Sequence, residues 1–183
     1  MSITETPQSL QRAIHQQLQL ALNVRGHPWR TPVLANVDEN DMPQARTVVL
    51  RGVENDGHLL TMFTDRRSPK SRQLQGRPTA TLVFWHPELQ WQLRAQGPVT
   101  VDTDRHAIDT VWESIRNTAA AGDYLTPSAP GEPLKEARAL APEEHQLAIL
   151  RLAVERSDWL CLSRTGHQRA GWGIEHPFRW LTP

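Results

Sequence analysis

Pro43-Gln-Ala-Arg46-Thr-Val-Val-Leu-Arg51-Gly-Val-Glu-Asn55-Asp-Gly57-His-Leu-Leu-Thr-Met-Phe63-Thr64-Asp65 is the stretch that decides the fold class. Two runs of β-branched and apolar residues flank Asn55-Asp-Gly57, and that tripeptide supplies the positive backbone angles of a tight hairpin. Strands are therefore expected over 45–53 and 58–64. Upstream, 32–37 reads as a strand joined to the first by the turn at Asp38–Asp41. Downstream, Ser68 is placed as the N-cap of a short helix over 68–75, stopped by Gly76 and Pro78. Strands over 79–85 and 88–102 follow, the second long and bent at Gly97-Pro98.

Outside this block, Leu10, Ile14, Leu18, Ala21 and Leu22 form the apolar stripe of a helix over 7–24, closed by Gly26 and Pro28. A second helix is expected over 104–117, with Ile108, Val111, Trp112 and Ile115 on one face. Residues 119–133 are rich in Ala, Gly and Pro and read as a loop. A helical turn at 142–145 and strands over 147–163, 167–174 and 178–181 complete the chain. Many short antiparallel strands with helices around them make an α+β fold, a small barrel of six to eight strands with peripheral helices.

The chain has 183 residues, most simply one domain spanning 1–183. Its 20 Lys and Arg balance its 20 Asp and Glu, so no strong field is offered to nucleic acid or to an acidic membrane surface. One cysteine, Cys161, rules out an internal disulfide framework and fits a reducing compartment. With no long apolar run, the expectation is a cytoplasmic protein. The Cys161 neighbours are apolar, which reads as a buried thiol rather than a nucleophile. Histidines and cysteine show no metal-ligand spacing, and no Gly-rich phosphate loop occurs. Seven Trp is a high count, assigned to core and subunit interface.

The positive charge is nearly all arginine; only Lys70 and Lys135 are lysines. Arg66 and Arg67 precede a helix start that contains Lys70, and dipole and charge together would draw a phosphate there. Arg46 and Arg51, five apart on one expected strand, fall on opposite faces, so one serves such a site and the other reaches elsewhere.

In order and spacing, the motifs Arg46-Thr-Val-Val-Leu-Arg51, Phe63-Thr64, Ser68-Pro-Lys70 and Gln92 resemble the FMN-binding half of the pyridoxamine 5′-phosphate oxidase-like split-barrel flavoproteins. The resemblance implies a split β-barrel, FMN as cofactor, and a homodimer with FMN at the subunit interface. It implies that Arg46 contacts the FMN phosphate, with Thr47, Val48 and Val49 beside it. Phe63, Thr64, Ser68 and Lys70 would also hold the cofactor, and Gln92 would bond the edge of the flavin ring. Trp159 and Arg169 match a C-terminal Trp and Arg that reach FMN from the partner subunit; Trp159 reads equally as a core residue. Arg51 and His167 fall at substrate-binding positions. The Ser-Arg-Lys helix start of the family is Ser68-Pro69-Lys70 here, one cation fewer. The Tyr, Arg and Ser with which the family's oxidases grip substrate phosphate have no match in 105–115, which argues against authentic pyridoxamine 5′-phosphate oxidation. The resemblance thus implies an FMN-dependent oxidoreductase for an unidentified small molecule, through hydride transfer at flavin N5, with a non-catalytic flavin storage or redox-sensing protein as the alternative.

Overall fold

The structure is a computed structural model and describes residues 6–133 and 139–183; Lys135 lies outside them. It opens with α1 (Pro7–Asn23), where Pro7 needs no N–H partner and Thr6 Oγ1 accepts from the Ser9 amide at 3.2 Å. Leu10, Ile14, Leu18 and Ala21 are its buried stripe. Ten strands follow in one connected antiparallel sheet. They are β1 (Val33–Val37), β2 (Pro43–Thr47), β3 (Leu50–Glu54), β4 (Leu59–Asp65), β5 (Thr79–His86), β6 (Trp91–Asp102), β7 (Leu147–Ala153), β8 (Arg156–Cys161), β9 (Gln168–Gly173) and β10 (Arg179–Leu181). The helix α2 (Pro69–Gly76) lies between β4 and β5, and α3 (Arg105–Ile115) follows β6.

β6 is the hinge of the architecture. Its residues 91–98 pair with β5 and 91–96 with β8, while 99–102 pair with β7. The change of partner falls at Gly97. A Cβ there would sit 1.9 Å from the Ala153 carbonyl oxygen and 3.1 Å from the Glu155 nitrogen, so no side chain fits. The same crossing interrupts the neighbouring strand. The expected single strand over 147–163 is two, β7 and β8, separated at Val154-Glu155, with the Glu155 amide donating to Gln96 O.

The expected strand over 45–53 is also two. After Thr47 the Val48 amide turns back to Pro32 O at 2.9 Å, and β3 then pairs with β4 rather than continuing beside β1. β2 and β3 are not paired with each other. The sheet therefore stays open between them, a split barrel. Ten strands exceed the six to eight expected because these two breaks each add one. The stretch 119–133 is not wholly irregular: a 3₁₀ helix covers Ala119–Tyr124 and buries Ala121 and Tyr124.

Strand registers assign each residue a face. Leu34, Leu82, Phe84, Leu93, Ala95, Trp159 and Ala170 point inward to the main core. A second, smaller core packs α3 and the 3₁₀ turn against the outside of β4 and β7 through Ile108, Trp112, Tyr124 and Ile149. Trp29, Trp91, Trp112 and Trp159 are buried, whereas Trp85 and Trp180 are 41% and 48% exposed. Cys161 is half-buried rather than enclosed, and burial pushes its thiol pKa up.

Replacing Gly97 with alanine should destabilise the protein by about 3 kcal/mol or more in chemical denaturation, because the clash is with backbone and cannot be relieved by a rotamer. Gly76→Ala, whose Cβ meets nothing within 4 Å, should be neutral or stabilise by up to about 1 kcal/mol.

Candidate functional site

The site begins on β2. Register sets Arg46 opposite Leu34, on the inward side of the sheet but beyond the core, and beside Asn36. The Arg46 guanidinium donates to Asn36 Oδ1 and, at 3.4 Å, to Gln73 Oε1 on α2. Asn36 Nδ2 donates to the same Gln73 oxygen at 3.1 Å. Gln73 thus locks the helix to the strand, and places the first turn of α2 against Arg46. Lys70, one turn before Gln73, is half-buried there. Its ammonium pKa is lowered, first by burial and then by the Arg46 charge, with Asp65 acting in the opposite direction. Burial also lowers the Arg46 pKa.

Asp65 does not neutralise this pair, because it is committed elsewhere. Its carboxylate, on a residue only 4% exposed, takes Arg67 Nη2 at 2.6 Å, Arg67 Nε at 3.1 Å and the Arg67 amide at 2.7 Å. Lys70 joins none of the ion pairs found among the described residues. Arg46 and Lys70 are both partly buried, the Arg46 charge opposes that of Lys70, and neither has an ion-pair partner among the described residues, an arrangement that a bound anion would relieve.

Three hydroxyls cluster at the start of α2. Thr64, at the end of β4, shares a 3.1 Å hydrogen bond with Ser68, and both are buried. Ser68 is the N-cap of α2 by position, yet its side chain makes no capping bond. Ser71 is fully buried, and its Oγ has no partner among the described residues. An orphaned hydroxyl, two crowded cations and a helix start fit a phosphate monoester, dianionic and rich in acceptors.

The other expected residues separate into distinct groups. Val48 is buried in the core with its amide engaged by Pro32, Val49 is half-buried, and Thr47 is exposed on the opposite side of β2 from Arg46. Arg51 does point away from Arg46, but through the break between β2 and β3 rather than strand alternation. Its guanidinium carbon lies 5.8 Å from the centre of the Phe63 ring, and its Nε is buried without a partner among the described residues. Tyr124 borders it; burial raises the Tyr124 pKa, and Arg51 pulls it back. Arg66 and Arg67 do not join the cation pair. Arg66 is exposed and donates to Gln146 at 2.7 Å, and Arg67 holds Asp65 and the carbonyls of Thr126, Pro127 and Ser128.

Gln92 and Arg169 lie on the outward face of the sheet. Gln92 stands between Trp85 and Leu160, and Leu160 pairs with Arg169. Arg169 is ion-paired with buried Asp158 at 2.8 Å, which raises its pKa. Gln92 is therefore not beside Phe63 and Thr64 as a single ring-holding group. Trp159, one residue before Leu160, faces inward instead. It is fully buried and packs edge-on against Trp91 at 5.4 Å and Trp180 at 6.5 Å, so within its own chain it is a core residue. His167 is exposed, and its Nδ1 accepts the Ser163 amide at 3.0 Å. Asn36, Gln73, Tyr124 and Asp158 were not legible as site residues. The signal for Asn36 was a polar residue at an inward position of an otherwise apolar strand.

Comparison with known proteins places the fold in a family. Residues 8–103 match the family model described as pyridoxamine 5′-phosphate oxidase, FMN-binding domain. A pyridoxine/pyridoxamine 5′-phosphate oxidase of Rhizobium johnstonii is 38% identical over 74 residues, 40% of this chain and 35% of that protein. One of Thermosynechococcus vestitus is 46% identical over 66 residues, 36% and 30% of the two chains. The match thus spans about a third of the length of these curated relatives. Among solved structures, a pyridoxamine 5′-phosphate oxidase-related, FMN-binding protein of Nostoc punctiforme superposes with TM-score 0.76 at 25% identity, covering 100% of this chain and 99% of that one. PhzG of Burkholderia lata follows at 0.74 and 16%, covering 98% and 94%, a likeness of fold. With more than half of the chain matched by the family model and the split barrel in place, this chain belongs to the pyridoxamine 5′-phosphate oxidase FMN-binding domain family.

Proposed function

We propose that the protein binds FMN and works as a flavin-dependent oxidoreductase on a small molecule, as a homodimer. The observation that carries the cofactor reading is Arg46, fixed by Asn36 and Gln73 without an ion-pair partner, with Lys70 under its charge at the start of α2, where the buried Ser71 hydroxyl has no partner among the described residues. Arg46 and Lys70 bind the phosphate; Thr64 and Ser68 border it. A bound flavin supplies hydride transfer, and the chain's own residues hold and orient it. Arg51, with Tyr124 beside it, is available to an anionic or polar substrate group.

What supports a dimer is that the expected site residues lie on the two faces of one sheet. Gln92 and Arg169 cannot reach a ligand seated at Arg46 in the same chain, because the sheet itself intervenes. A second copy can bring its outward face to the first. That face carries half-exposed apolar residues suited to burial, Val33, Val37, Trp85 and Leu181. Among the described residues no helix is long and apolar enough to cross a membrane.

The phosphate assignment is tested by titrating FMN and riboflavin against the protein and its variants. Arg46→Ala and Lys70→Met should each weaken FMN by ~10- to 100-fold, the worth of one charge-assisted contact, and leave riboflavin affinity unchanged. Equal loss of both flavins would place the phosphate elsewhere. Lys70→Met should not lower the stability of the flavin-free protein, since it removes a crowded charge. Flavin that binds tightly but is neither reduced nor reoxidised by any substrate would favour the storage reading.

The pH dependence has a defined sign. Lys70 has a lowered pKa when free, and a bound anion raises it, so binding takes up a proton between the two values. FMN affinity should fall as pH rises through the free-state pKa of Lys70, and Lys70→Met should remove that slope while Arg46→Ala keeps it.

The shared site is tested in mixed dimers. One chain carries Arg46→Ala with Lys70→Ala, the other Gln92→Ala with Arg169→Ala. If each site draws on both chains, a heterodimer regains one native-affinity FMN site although neither homodimer has any. A heterodimer with no native site would assign all four residues to a single chain.

A further inference from the structure

The outward face of the sheet carries one residue that breaks its pattern. Along β6, β8 and β9 the outward positions Gln92, Arg94, Leu160 and Arg169 are half-buried, as a face left open by a single chain should be. Asp158, on the same face, is only 4% exposed. A carboxylate suits such a position only where something holds its charge. Register sets it directly opposite Arg94 on β6 and Gly171 on β9, with Arg169 on the diagonal. Gly171 puts no side chain between Arg169 and Asp158, and a Cβ there would lie 3.0 Å from Leu181 Cδ1.

The contact is closed on one side only. Arg169 gives Nε to both carboxylate oxygens at 3.2 Å and Nη2 to Oδ2 at 2.8 Å. The fork fixes the plane of the guanidinium and leaves Nη1 without a hydrogen-bond partner among the described residues. The Asp158 side chain is 6% exposed and that of Arg169 33%. Pairing with so exposed an arginine adds little stability, and enclosing a carboxylate costs some, so a purely structural role returns little. Arg94, on the other side of Asp158, joins none of the ion pairs found among the described residues. The face thus presents two arginines with one enclosed negative charge between them.

We propose that Asp158 sets the reduction potential of the flavin held by a second copy of the chain, acting through Arg169, whose free edge it aims outward and whose charge it partly offsets. The inference rests on the proposed FMN site shared between two chains, to which Arg169 contributes. Asp158 touches no cofactor and is a positioning residue. A flavin reduced by two electrons is anionic above neutral pH, whereas the oxidised ring is neutral, so charge brought to its edge shifts its potential. With Asp158 beneath it, Arg169 offers a hydrogen-bond donor but only part of a positive charge. The potential is therefore held below the value an unpaired arginine would give.

The test measures the two-electron midpoint potential of FMN bound to the full chain at mildly alkaline pH, together with affinity for oxidised FMN. Asp158→Asn keeps one acceptor oxygen for Arg169 and removes the negative charge. It should favour reduced over oxidised FMN by ~tenfold, a rise of about 30 mV for a two-electron couple. Affinity for oxidised FMN should be unchanged. Arg169→Gln should shift the potential the other way. The double variant, Asp158→Asn with Arg169→Gln, leaves no unpaired ion to impair folding and should return close to the wild-type potential. Opposed shifts that cancel report charge; a merely structural pair would move both single variants in one direction. A potential lowered by Arg169→Gln but unmoved or lowered by Asp158→Asn would overturn the inference and keep the shared site. No effect of any variant on potential or affinity would overturn it together with the place of Arg169 in that site. A wild-type chain that takes up no FMN would refute the cofactor reading itself, and this inference with it.

Discussion

One backbone contact organises this protein: Gly97 lying directly against the carbonyl of Ala153. Because nothing separates them, β6 can pass from one set of neighbours to another within a single residue, and the strand beside it must break at Val154-Glu155 to let it through. From that crossing come the two halves of the sheet and their inward and outward faces. A side chain at 97 would force the strands apart and shift the register on both sides. Such a shift exchanges faces, and would move Gln92 to the side of Trp91. Placement of Gln92 and Arg169 on the outward face therefore depends on a glycine further along β6.

The candidate site is held by polar contacts that stabilise an otherwise unfavourable concentration of positive charge. Burial disfavours both Arg46 and Lys70 in their charged forms, and the Arg46 charge adds to the difficulty of Lys70. The nearest carboxylate, Asp65, is withheld by Arg67. Structures that keep such charge without a partner in the same chain are more often binding sites than scaffolds, because a buried unpaired cation costs stability with no structural return. Asn36 and Gln73 are what make the arrangement rigid: a neutral amide can fix the arginine without quenching its charge.

Much of this was readable in the sequence, and the failures share a cause. The hairpin at Asn55-Asp-Gly57, the short helix behind Ser68 and the bend at Gly97 depend on local chemistry, and local chemistry is what a sequence displays. The two strands read as single, 45–53 and 147–163, are continuous in apolar character; each breaks for a reason supplied by distant residues, Pro32 in one case and Gly97 in the other. The site divides the same way. Arg46 and Lys70 stand out as isolated cations in apolar or helix-start contexts. Asn36 and Gln73 are ordinary polar residues whose importance exists only once β1, β2 and α2 are brought together. Gln92 was joined to Phe63 and Thr64 through the family resemblance, and strand parity sets it on the outward face.

Pro69 illustrates how a departure in sequence can be absorbed by structure. A proline where an arginine stands in the wider pattern removes one positive group from the helix start and one donor N–H. At N1 of α2 the missing N–H has no intrahelical partner to lose. The ring also offers a surface to the loop after the 3₁₀ turn: a Cβ on Gly131 would touch Pro69 Cγ at 3.7 Å, and Arg67 fastens the same loop by three carbonyls. Arg67 can do this because Asp65 grips it from behind, and that grip is also what leaves Lys70 without a carboxylate. Loss of one cation at position 69 and capture of Asp65 by Arg67 act on the site in opposite directions. The first reduces the positive charge at the helix start, and the second leaves what remains without an ion-pair partner.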